Sequence, residues 1–370
     1  MILHLGDDEK VINRAFASFE HAFPNKNYII CFSSNKTNHI SIKENITFYK
    51  PGDNINIDFS KVQKVVIHFL SLEKIYFCNK YIKSIPIYWI VWGADIYNFL
   101  LASKGYKLFS LNTIRALGKT FLGYCISWIW YRITDYKKVT KFINEQVDYI
   151  AADKGDFQLL QKKIHIADRI KQFDFYYYPI DDILGKDLIN KEVLPHSKNI
   201  LCGNSASFTN NHIDILKKIK LLKEDDYSII MPLSYGGNKN YIKKVIEKGQ
   251  QIYGTKFKPL TEFLPLDEYN KILQSSTICI FANWRQEAVG NIVIALYLGA
   301  KVYLSCNNPL LKSLIQANCK VFVFENETKE GFNRPLSIQE KQQNRKIMIE
   351  YFNSQRLCQC NHQDISSRCL

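Results

Sequence analysis

Arg285, Glu287 and Gly290 share a loop between the apolar run 277–282 and a helical pattern that opens near residue 288. The guanidinium of Arg285 can form a bidentate pair with a phosphate, and the carboxylate of Glu287 can accept hydrogen bonds from ribose hydroxyls. A glycine in a first helical turn weakens the helix, but it lets a ligand approach the helix N–H groups. The loop predicts a nucleoside-diphosphate site, with an ordinary strand-to-helix turn as the alternative. The residues predicted to bind are Arg285, Gln286, Glu287, Gly290 and Asn291.

Two further loops carry glycines directly after an apolar run that predicts a strand. Gly203, Asn204 and Ser205 follow residues 199–202, and Tyr235 stands before two glycines after residue 233. Loops at the carboxyl ends of parallel strands line the ligand crevice of doubly wound sheets. Gly203 permits a close backbone approach, and the Tyr235 ring could cover a base or a sugar. Ordinary turns, one with an Asn cap, are the alternative interpretation.

A carboxylate in the first half occupies a similar position. Asp95 comes just after the apolar, aromatic run 85–93. There it could act as a general base towards an acceptor hydroxyl. An N-cap of the following helix is an equally good interpretation. The other residues predicted to line an acceptor site are His4, Gly6, Asp7 and Trp92.

The stretch 120–131 is uncharged and contains two Trp and two Tyr residues. It is shorter than the roughly 20 residues that a membrane-spanning helix needs. Its composition suits a helix lying in the membrane interface, and we expect the segment 105–141 to dock on an anionic bilayer. A buried core helix with a basic rim is the alternative. The basic residues around it are Lys104, Lys107, Arg115, Lys119, Arg132, Lys137, Lys138 and Lys141.

The chain has 49 Lys and Arg residues against 35 Asp and Glu residues, a formal net charge of +14. This excess favours an anionic partner, which could be nucleic acid, acidic lipid or a phosphate-bearing small molecule. The N-terminus lacks the basic start and apolar run of a secretory signal, so we expect a cytosolic protein with free thiols.

The cysteines divide into apolar strings and a tail. Cys31, Cys78, Cys279 and Cys306 lie in apolar strings and are predicted to be buried. The tail carries Cys358, Cys360, His362 and Cys369, whose spacing is not that of a usual zinc site, so we expect no metal there.

Apolar runs alternate with helical patterns along the chain, which is typical of an α/β protein with parallel sheets covered on both faces. We expect two doubly wound, Rossmann-like domains and a C-terminal helix. The predicted limits are 1–180 for the first domain, 181–197 for a polar linker, 198–335 for the second domain and 336–370 for the helix and tail.

Several common motifs are absent from the sequence. It contains no G-x-G-x-x-G, no G-x-x-x-x-G-K-[ST] and no H-E-x-x-H string. A nicotinamide dehydrogenase, a P-loop NTPase and a zinc hydrolase of that type therefore lose their best marker. No Asp-x-Asp string occurs either, so we expect chemistry without a metal or another cofactor.

An ordered set of short strings resembles one known family. The matching residues are Trp92-Gly93-Ala94-Asp95 with Tyr97; Gly203-Asn204-Ser205 with Asn210 and His212; Pro232 with Tyr235, Asn238, Tyr241 and Ile242; Asp267 with Tyr269; Arg285-Gln286 with Gly290; and Asn308-Pro309. With these strings the chain resembles the 4-acetamido-4,6-dideoxygalactose transferases of glycosyltransferase family 56, the TDP-Fuc4NAc:lipid II transferases of enterobacterial common antigen assembly. It departs from that pattern at Glu287, where Gln is expected, and at Ala288, where Gly is expected.

The resemblance implies a GT-B fold, with two domains that face each other across a cleft. It also implies a peripheral enzyme at the cytoplasmic face of the bacterial inner membrane. The implied donor is a dTDP-linked sugar, bound by the second domain, and the implied acceptor is a polyprenyl-diphosphate-linked saccharide, bound by the first. Asp95 is then the predicted catalytic base.

Three other functions are compatible with parts of the sequence. A sugar-nucleotide epimerase would share the fold but would not need the segment 105–141. A basic nucleic-acid-binding protein would explain the charge but not the glycine loops, so we expect no nucleic-acid partner. A non-catalytic sugar-binding protein would tolerate loss of the Asp95 carboxylate, whereas an enzyme that uses it as a base would not.

Overall fold

The computed structural model of the chain describes residues 1–9, 11–33, 39–42, 44–173, 175, 177, 179–194 and 197–352. The strands are β1 (Ile2–Gly6), β2 (Asn27–Cys31), β3 (Ile46–Phe48), β4 (Lys64–His68), β5 (Ile87–Ile90), β6 (Val147–Ala151), β7 (Lys171–Phe173), β8 (Asn199–Cys202), β9 (Ser228–Pro232), β10 (Phe257–Leu260), β11 (Ser276–Phe281), β12 (Lys301–Leu304) and β13 (Phe322–Val323). The α-helices are α1 (Ile12–Ala22), α2 (Leu72–Tyr81), α3 (Leu111–Leu117), α4 (Lys119–Thr134), α5 (Tyr136–Gln146), α6 (Lys154–Leu159), α7 (Ile180–Leu188), α8 (His212–Lys218), α9 (Lys239–Tyr253), α10 (Leu266–Ser275), α11 (Val289–Leu298), α12 (Pro309–Gln316), α13 (Lys329–Asn333) and α14 (Ile338–Tyr351).

The described residues form two units. The first comprises residues 1–106 and 127–179, and the second comprises residues 107–126 and 180–352. Residues 107–126 therefore pack in the second unit, whereas the sequence analysis assigned them to the first domain. The Cys-rich tail lies outside the described residues.

The first unit has a seven-stranded sheet with the order β3-β2-β1-β4-β5-β6-β7. Its strands pair in parallel, and every residue of β1, β4 and β5 is buried. Such continuous apolar strands are expected where helices cover both faces of a sheet. The predicted α/β architecture is confirmed for this half of the chain.

The second unit has a six-stranded parallel sheet with the order β10-β9-β8-β11-β12-β13. Residues 292–298 of α11 are all buried, which fits a helix that is apolar on every side. The C-terminal helix α14 packs against α11. It begins with a capping box in which Ser337 and Glu340 each accept a hydrogen bond from the other's backbone N–H. The predicted helix near residues 337–353 is confirmed.

Part of the predicted linker is a helix. In α7 the side chains of Ile180, Leu184 and Leu188 are buried, and the helix packs against α10 and α11. Gly185 interrupts it with a φ of 61°. The high polar content of residues 181–197 obscured an apolar stripe at every fourth position.

The helix α4 leaves its apolar side chains exposed. None of its residues is buried, so the alternative of a buried core helix is wrong. Five large apolar side chains are exposed by between 60% and 72%, and they recur at the spacing of one helix face: Leu122, Ile126, Ile129, Trp130 and Ile133. We call these five side chains the α4 stripe. Among the helices of the described residues, none is both long and apolar enough to span a membrane.

The cysteines follow the prediction with one exception. Cys31, Cys78 and Cys279 are buried thiols, as predicted. Cys306 is exposed, and the prediction for it was wrong. It lies beyond the end of β12 in a turn, where its backbone N–H donates to the Glu325 carboxylate.

Candidate functional site

Three loops predicted to bind a ligand lie at one edge of the second sheet. They follow β8, β9 and β11, and β8 lies between the other two strands. The chain winds outward on one side from β8 to β9 and on the other side from β11 to β12. A sheet of this kind opens a crevice at the carboxyl ends of the strands where the winding reverses. The topology therefore brings together the loops around Gly203, Tyr235 and Arg285.

The loop after β8 is held by two buried side chains. Gly203 has a φ of 74°, and a Cβ at this position would lie 2.7 Å from Oδ1 of Asn210. That same oxygen accepts a hydrogen bond from the backbone N–H of Asn204 at 3.2 Å. His212 binds Ser205, the residue after Asn204: its Nε2 lies 2.9 Å from the carbonyl oxygen of Ser205. The glycine is thus required both by its backbone conformation and by the close approach of Asn210.

The protonation of His212 follows from its partners. A carbonyl oxygen can only accept, so Nε2 carries the proton, and Nδ1 accepts from the Tyr241 hydroxyl at 3.1 Å. The ring is fully buried. Burial lowers the pKa of His212 to about 4, although the Ser205 carbonyl opposes this shift. His212 is therefore a neutral support for the loop at physiological pH.

The loop after β9 packs directly on the first loop. The backbone N–H of Ala206 donates to the carbonyl oxygen of Tyr235 at 2.7 Å. A Cβ on Gly237 would lie only 2.4 Å from the carbonyl oxygen of Ala206. Tyr235 itself is 55% exposed. The loop therefore presents an aromatic ring at the strand edge, on a backbone that only glycine can follow.

The loop after β11 is organised by Glu287. One of its carboxylate oxygens, Oε2, accepts three hydrogen bonds: from Thr209 Oγ1 at 2.5 Å, from Asn283 Nδ2 at 3.0 Å and from Arg285 Nε at 2.9 Å. Asn283 is fully buried, and its Oδ1 has no hydrogen-bond partner in the structure. The ion pair with Glu287 fixes the Arg285 guanidinium, and Thr209 links this loop to the first one.

The helix α11 begins where the sequence predicted it. Ala288 is its N-cap and has a φ of 62°, a left-handed conformation that favours glycine. Gly290 is exposed, and apart from its chain neighbours and the backbone of its own helix no atom of the described residues lies within 4 Å of the position that a Cβ would occupy. Asn291 donates through Nδ2 to the hydroxyl of Tyr269 at 2.9 Å. The first turn carries no acidic residue, and the positive end of a helix dipole favours an anion there.

In the first unit the winding reverses between β1 and β4, and Asp7 follows β1 there. Its Oδ2 lies 2.5 Å from Nζ of Lys74, whose side chain is fully buried while that of Asp7 is 30% exposed. Lys74 also donates to the carbonyl oxygens of His68 and Phe69. Burial lowers the pKa of Lys74, and the negative charge of Asp7 opposes that shift. Asp7 therefore stands at the strand edge as the partner of a buried cation.

Asp95 is partly buried and accepts three hydrogen bonds. Its Oδ2 accepts from Trp89 Nε1 at 2.9 Å and from the backbone N–H of Leu70 at 3.1 Å. Its Oδ1 accepts from the backbone N–H of Trp92 at 3.1 Å. Burial raises the pKa of Asp95, and the three donors oppose that rise. Asp95 occupies the N-cap position of the helical segment Ile96–Leu101, but its side chain makes no hydrogen bond that caps this segment.

The remaining predicted acceptor residues differ in their access to solvent. His4 is buried, where it accepts a hydrogen bond at Nδ1 from His68 and donates through Nε2 to Asn27. Gly6 is also buried, and a Cβ there would lie 2.7 Å from the Ile12 side chain. Both residues thus face the core. Trp92 is half-buried and donates through Nε1 to the Tyr177 hydroxyl.

Sequence reasoning missed three residues that hold these sites together. Thr209 and Asn283 bind Glu287, and Lys74 binds Asp7. Of the three, only Lys74 could have been found from the sequence, because its neighbours on one face of α2 are apolar and indicate a buried position. Among the described residues, no group of three or more His, Cys, Asp or Glu side chains is placed to hold a metal ion.

Two doubly wound parallel sheets, with glycine loops and a helix N-terminus at a strand edge, are the architecture of the GT-B fold. Several solved structures share this fold over nearly their whole length. Sucrose-phosphate synthase from Thermosynechococcus elongatus has a TM-score of 0.65 at 11% identity, with 99% of this chain and 98% of that chain covered. WaaG, a glycosyltransferase involved in lipopolysaccharide biosynthesis, has a TM-score of 0.55 at 11% identity, with 99% and 100% covered. The trehalose-6-phosphate structure from E. coli bound with UDP-2-fluoro glucose has a TM-score of 0.64 at 12% identity, with 99% and 98% covered.

The family is identified from the sequence. The profile described as 4-alpha-L-fucosyltransferase, glycosyl transferase group 56, matches residues 127–362, which is well over half of the chain. The chain belongs to this family, and it is a hexosyltransferase with the GT-B fold. The predicted family and fold class are confirmed. The epimerase, the non-catalytic sugar-binding protein and the nucleic-acid-binding protein are therefore set aside as interpretations of the whole chain.

Proposed function

We propose that this enzyme transfers a deoxyamino sugar from a dTDP-linked donor to a hydroxyl of a polyprenyl-diphosphate-linked saccharide. The reaction would serve surface polysaccharide assembly at the cytoplasmic face of the bacterial inner membrane, with the enzyme bound peripherally. The proposal of a nucleotide-sugar donor rests on one observation: the loops after β8, β9 and β11 converge at one edge of the second sheet. The resemblance to the 4-acetamido-4,6-dideoxygalactose transferases supports the choice of donor and acceptor.

The donor site stabilises the leaving group. Arg285 and the N–H groups at the start of α11 would bind the diphosphate, where negative charge develops as the sugar departs. Glu287 holds the Arg285 guanidinium in place before the ligand arrives, so binding does not carry the entropic cost of ordering that side chain. Gly290 leaves room for the diphosphate, and the exposed ring of Tyr235 would cover the base. Metal-independent departure fits this arrangement.

Asp95 is the proposed general base on the acceptor side. Burial raises its pKa towards the range in which a carboxylate abstracts a proton effectively, and its hydrogen bonds hold it in one orientation. The Asp95→Asn variant should lose at least about 100-fold in kcat while its dTDP affinity stays within about twofold of wild type. Asp168→Asn is the matched control, because it removes an exposed carboxylate of the same unit that lies away from the carboxyl ends of the strands. Equal activity of Asp95→Asn and wild type would rule Asp95 out as the base.

The α4 stripe is the proposed membrane contact. Its five side chains are exposed, and Trp128 on the same helix donates through Nε1 to the carbonyl oxygen of Asn98 at 2.7 Å, which anchors the helix. Arg132, Lys137 and Lys138 follow within two turns and would face anionic head groups. An amphipathic helix with aromatic and basic residues of this kind lies in the plane of the interface.

The donor is tested by thermal shift and calorimetry with dTDP, UDP, GDP and ADP. We expect dTDP to bind most tightly. Arg285→Ala should weaken dTDP binding by about 10- to 100-fold, since a charge-assisted pair is worth about 1.5–3 kcal/mol. Arg334→Ala, an exposed arginine of the same unit, is the control and should bind like wild type. Tighter binding of another nucleotide would overturn the proposed base, and equal loss in both variants would overturn the role of Arg285.

Membrane contact is tested by vesicle co-sedimentation. The variant Trp130→Ser/Ile133→Ser removes two stripe side chains, and Leu266→Ser/Ile338→Ser removes two apolar side chains of similar exposure elsewhere. Each stripe side chain should contribute about 1 kcal/mol or more on partial burial, so the first variant should bind vesicles at least about 10-fold more weakly. If both variants bind like wild type, the stripe is not the membrane contact.

A further inference from the structure

A cleft of about 430 Å³ lies in the second unit where α3 ends and α4 begins. Its walls come from the end of α3, the start of α4 and the N-terminal part of α9, as far as Glu247. The residues that line it include Gly118, Lys119, Thr120, Lys243, Lys244 and Glu247. No residue of the loops around Gly203 and Arg285 lines the cleft. Asn238, at the end of the loop after β9, and Tyr241, the partner of His212, do line it.

The charge of the cleft is positive. Three lysines line it, against a single carboxylate, that of Glu247. Lys244 donates through Nζ to the carbonyl oxygen of Ala116 at 2.6 Å, which holds its ammonium group against the end of α3. Lys243 lies 3.8 Å from Glu247, and Lys119 is exposed. Three lysines and one glutamate give the cleft a formal net charge of +2.

The backbone adds to this charge. The cleft contains the first residues of α4, which has 16 residues, and residues of the first turn of α9, which has 15. Neither helix has an acidic residue in its first turn. The positive ends of both helix dipoles add to the lysine charges. The C-terminal end of the shorter helix α3 contributes carbonyl oxygens of opposite sign, and Lys244 binds one of them, that of Ala116. An anion with several oxygen acceptors fits this chemistry.

The cleft adjoins the apolar surface of α4. Leu122, the first residue of the α4 stripe, follows Lys119 by three positions, which is about 4.5 Å along a helix axis. An anion bound at the start of α4 would therefore lie within one helical turn of a side chain that we place in the membrane interface. A membrane phospholipid has this arrangement, since its phosphate stands next to its acyl chains. A soluble phosphate has no apolar part to match the stripe.

We propose that this cleft binds the phosphate group of an anionic membrane lipid. The lysines and the two helix ends hold the phosphate oxygens, and the α4 stripe contacts the acyl chains beside them. This inference rests on the proposed membrane contact of α4 and adds a specific head-group site to it. Binding at this site would fix the depth and orientation of α4 in the interface.

The test compares two lysine variants of the full chain on phosphatidylcholine vesicles with and without phosphatidylglycerol. The cleft variant is Lys119→Ala/Lys243→Ala/Lys244→Ala. The control is Lys220→Ala/Lys271→Ala/Lys312→Ala, three exposed lysines of the same unit outside the cleft. We expect the cleft variant to lose about 100-fold in affinity for the anionic vesicles and the control to lose no more than about twofold. Equal losses in the two variants would overturn the site, because general surface charge would explain them.

Further experiments distinguish free phosphate from lipid phosphate, and the head-group site from the membrane contact of α4. Inorganic phosphate, added without vesicles and followed by calorimetry, should bind far more weakly than the anionic vesicles; comparable affinity would show that the site takes free phosphate and would overturn the lipid assignment. On vesicles of phosphatidylcholine alone, the cleft variant should bind like wild type, while Trp130→Ser/Ile133→Ser should not. If the stripe variant loses binding and the cleft variant keeps it on anionic vesicles, the head-group site fails and the membrane contact of α4 stands.

Discussion

His212 should make the second unit sensitive to acid. It is buried and neutral, and it joins the carbonyl oxygen of Ser205 to the hydroxyl of Tyr241. The perturbation is His212→Gln. A glutamine amide can donate to the Ser205 carbonyl and accept from the Tyr241 hydroxyl, but it does not titrate. The variant therefore removes the proton-binding site while it keeps both types of hydrogen bond.

The size of the effect follows from the pKa. Burial lowers the pKa of His212 from 6.5 to about 4 in the folded protein. Between these values the unfolded chain binds a proton that the folded chain does not, so folding stability falls as the pH falls. The stabilisation is fully present above pH 6.5 and is lost progressively towards pH 4. Linkage predicts a loss of about 2 kcal/mol between about pH 8 and pH 5 from this one group.

The assay is amide hydrogen exchange of β8 and β11, the buried strands on either side of the winding reversal, at about pH 8 and pH 5. The free energy of opening in wild type should fall by about 2 kcal/mol more than in His212→Gln over this interval. His21→Gln, at an exposed position on α1, should behave like wild type. The affinity for dTDP should show the same pattern, because the loop that His212 supports lies at the proposed donor site. Parallel losses in wild type and His212→Gln would show that His212 is not the group whose titration lowers the stability.

Three further predictions concern the strand edges. Ala288→Gly should raise the free energy of unfolding by about 1 kcal/mol, since the residue has a left-handed φ of 62°; urea denaturation that shows a loss would contradict this strain. Gly237→Ala should weaken dTDP binding by about 10-fold in calorimetry while the core stays folded, because the new Cβ would meet the Ala206 carbonyl at 2.4 Å; unchanged affinity would separate this loop from the site. Lys74→Met should destabilise the first unit by about 3 kcal/mol in hydrogen exchange, because it leaves the Asp7 carboxylate without its cation. Adding Asp7→Asn should restore part of that stability. If it restores none, loss of the ion pair is not the cause.

Much of the fold was predictable because burial leaves a local pattern. Strands such as β4 and β5 are covered on both faces, so they appear as short continuous apolar runs. The start of α11 was predictable because a glycine and a polar loop follow the apolar run of β11. The helix α7 was not predicted, because its buried face has only three apolar residues in a polar segment.

The candidate site was predictable in part for a related reason. Loops that follow parallel strands meet at one edge, so the sequence could place Gly203, Tyr235 and Arg285 near one another without knowing their contacts. It could not show that Glu287 binds Arg285, Thr209 and Asn283 through one oxygen. Thr209 and Glu287 are 78 positions apart, and only the packing of the chain decides that they touch.

The α/β alternation, the strand ends that carry polar loops and the family of the chain could all be predicted from the residues alone. These depend on the types and spacing of neighbouring residues, which the sequence records directly. The folded chain was needed to show that His4 and Gly6 face the core, that Asp7 is paired with a buried lysine and that α4 leaves its apolar face exposed. Each of these depends on which distant segments cover a side chain, and a local pattern of apolar and polar residues is the same whether its apolar face meets a neighbouring helix or none.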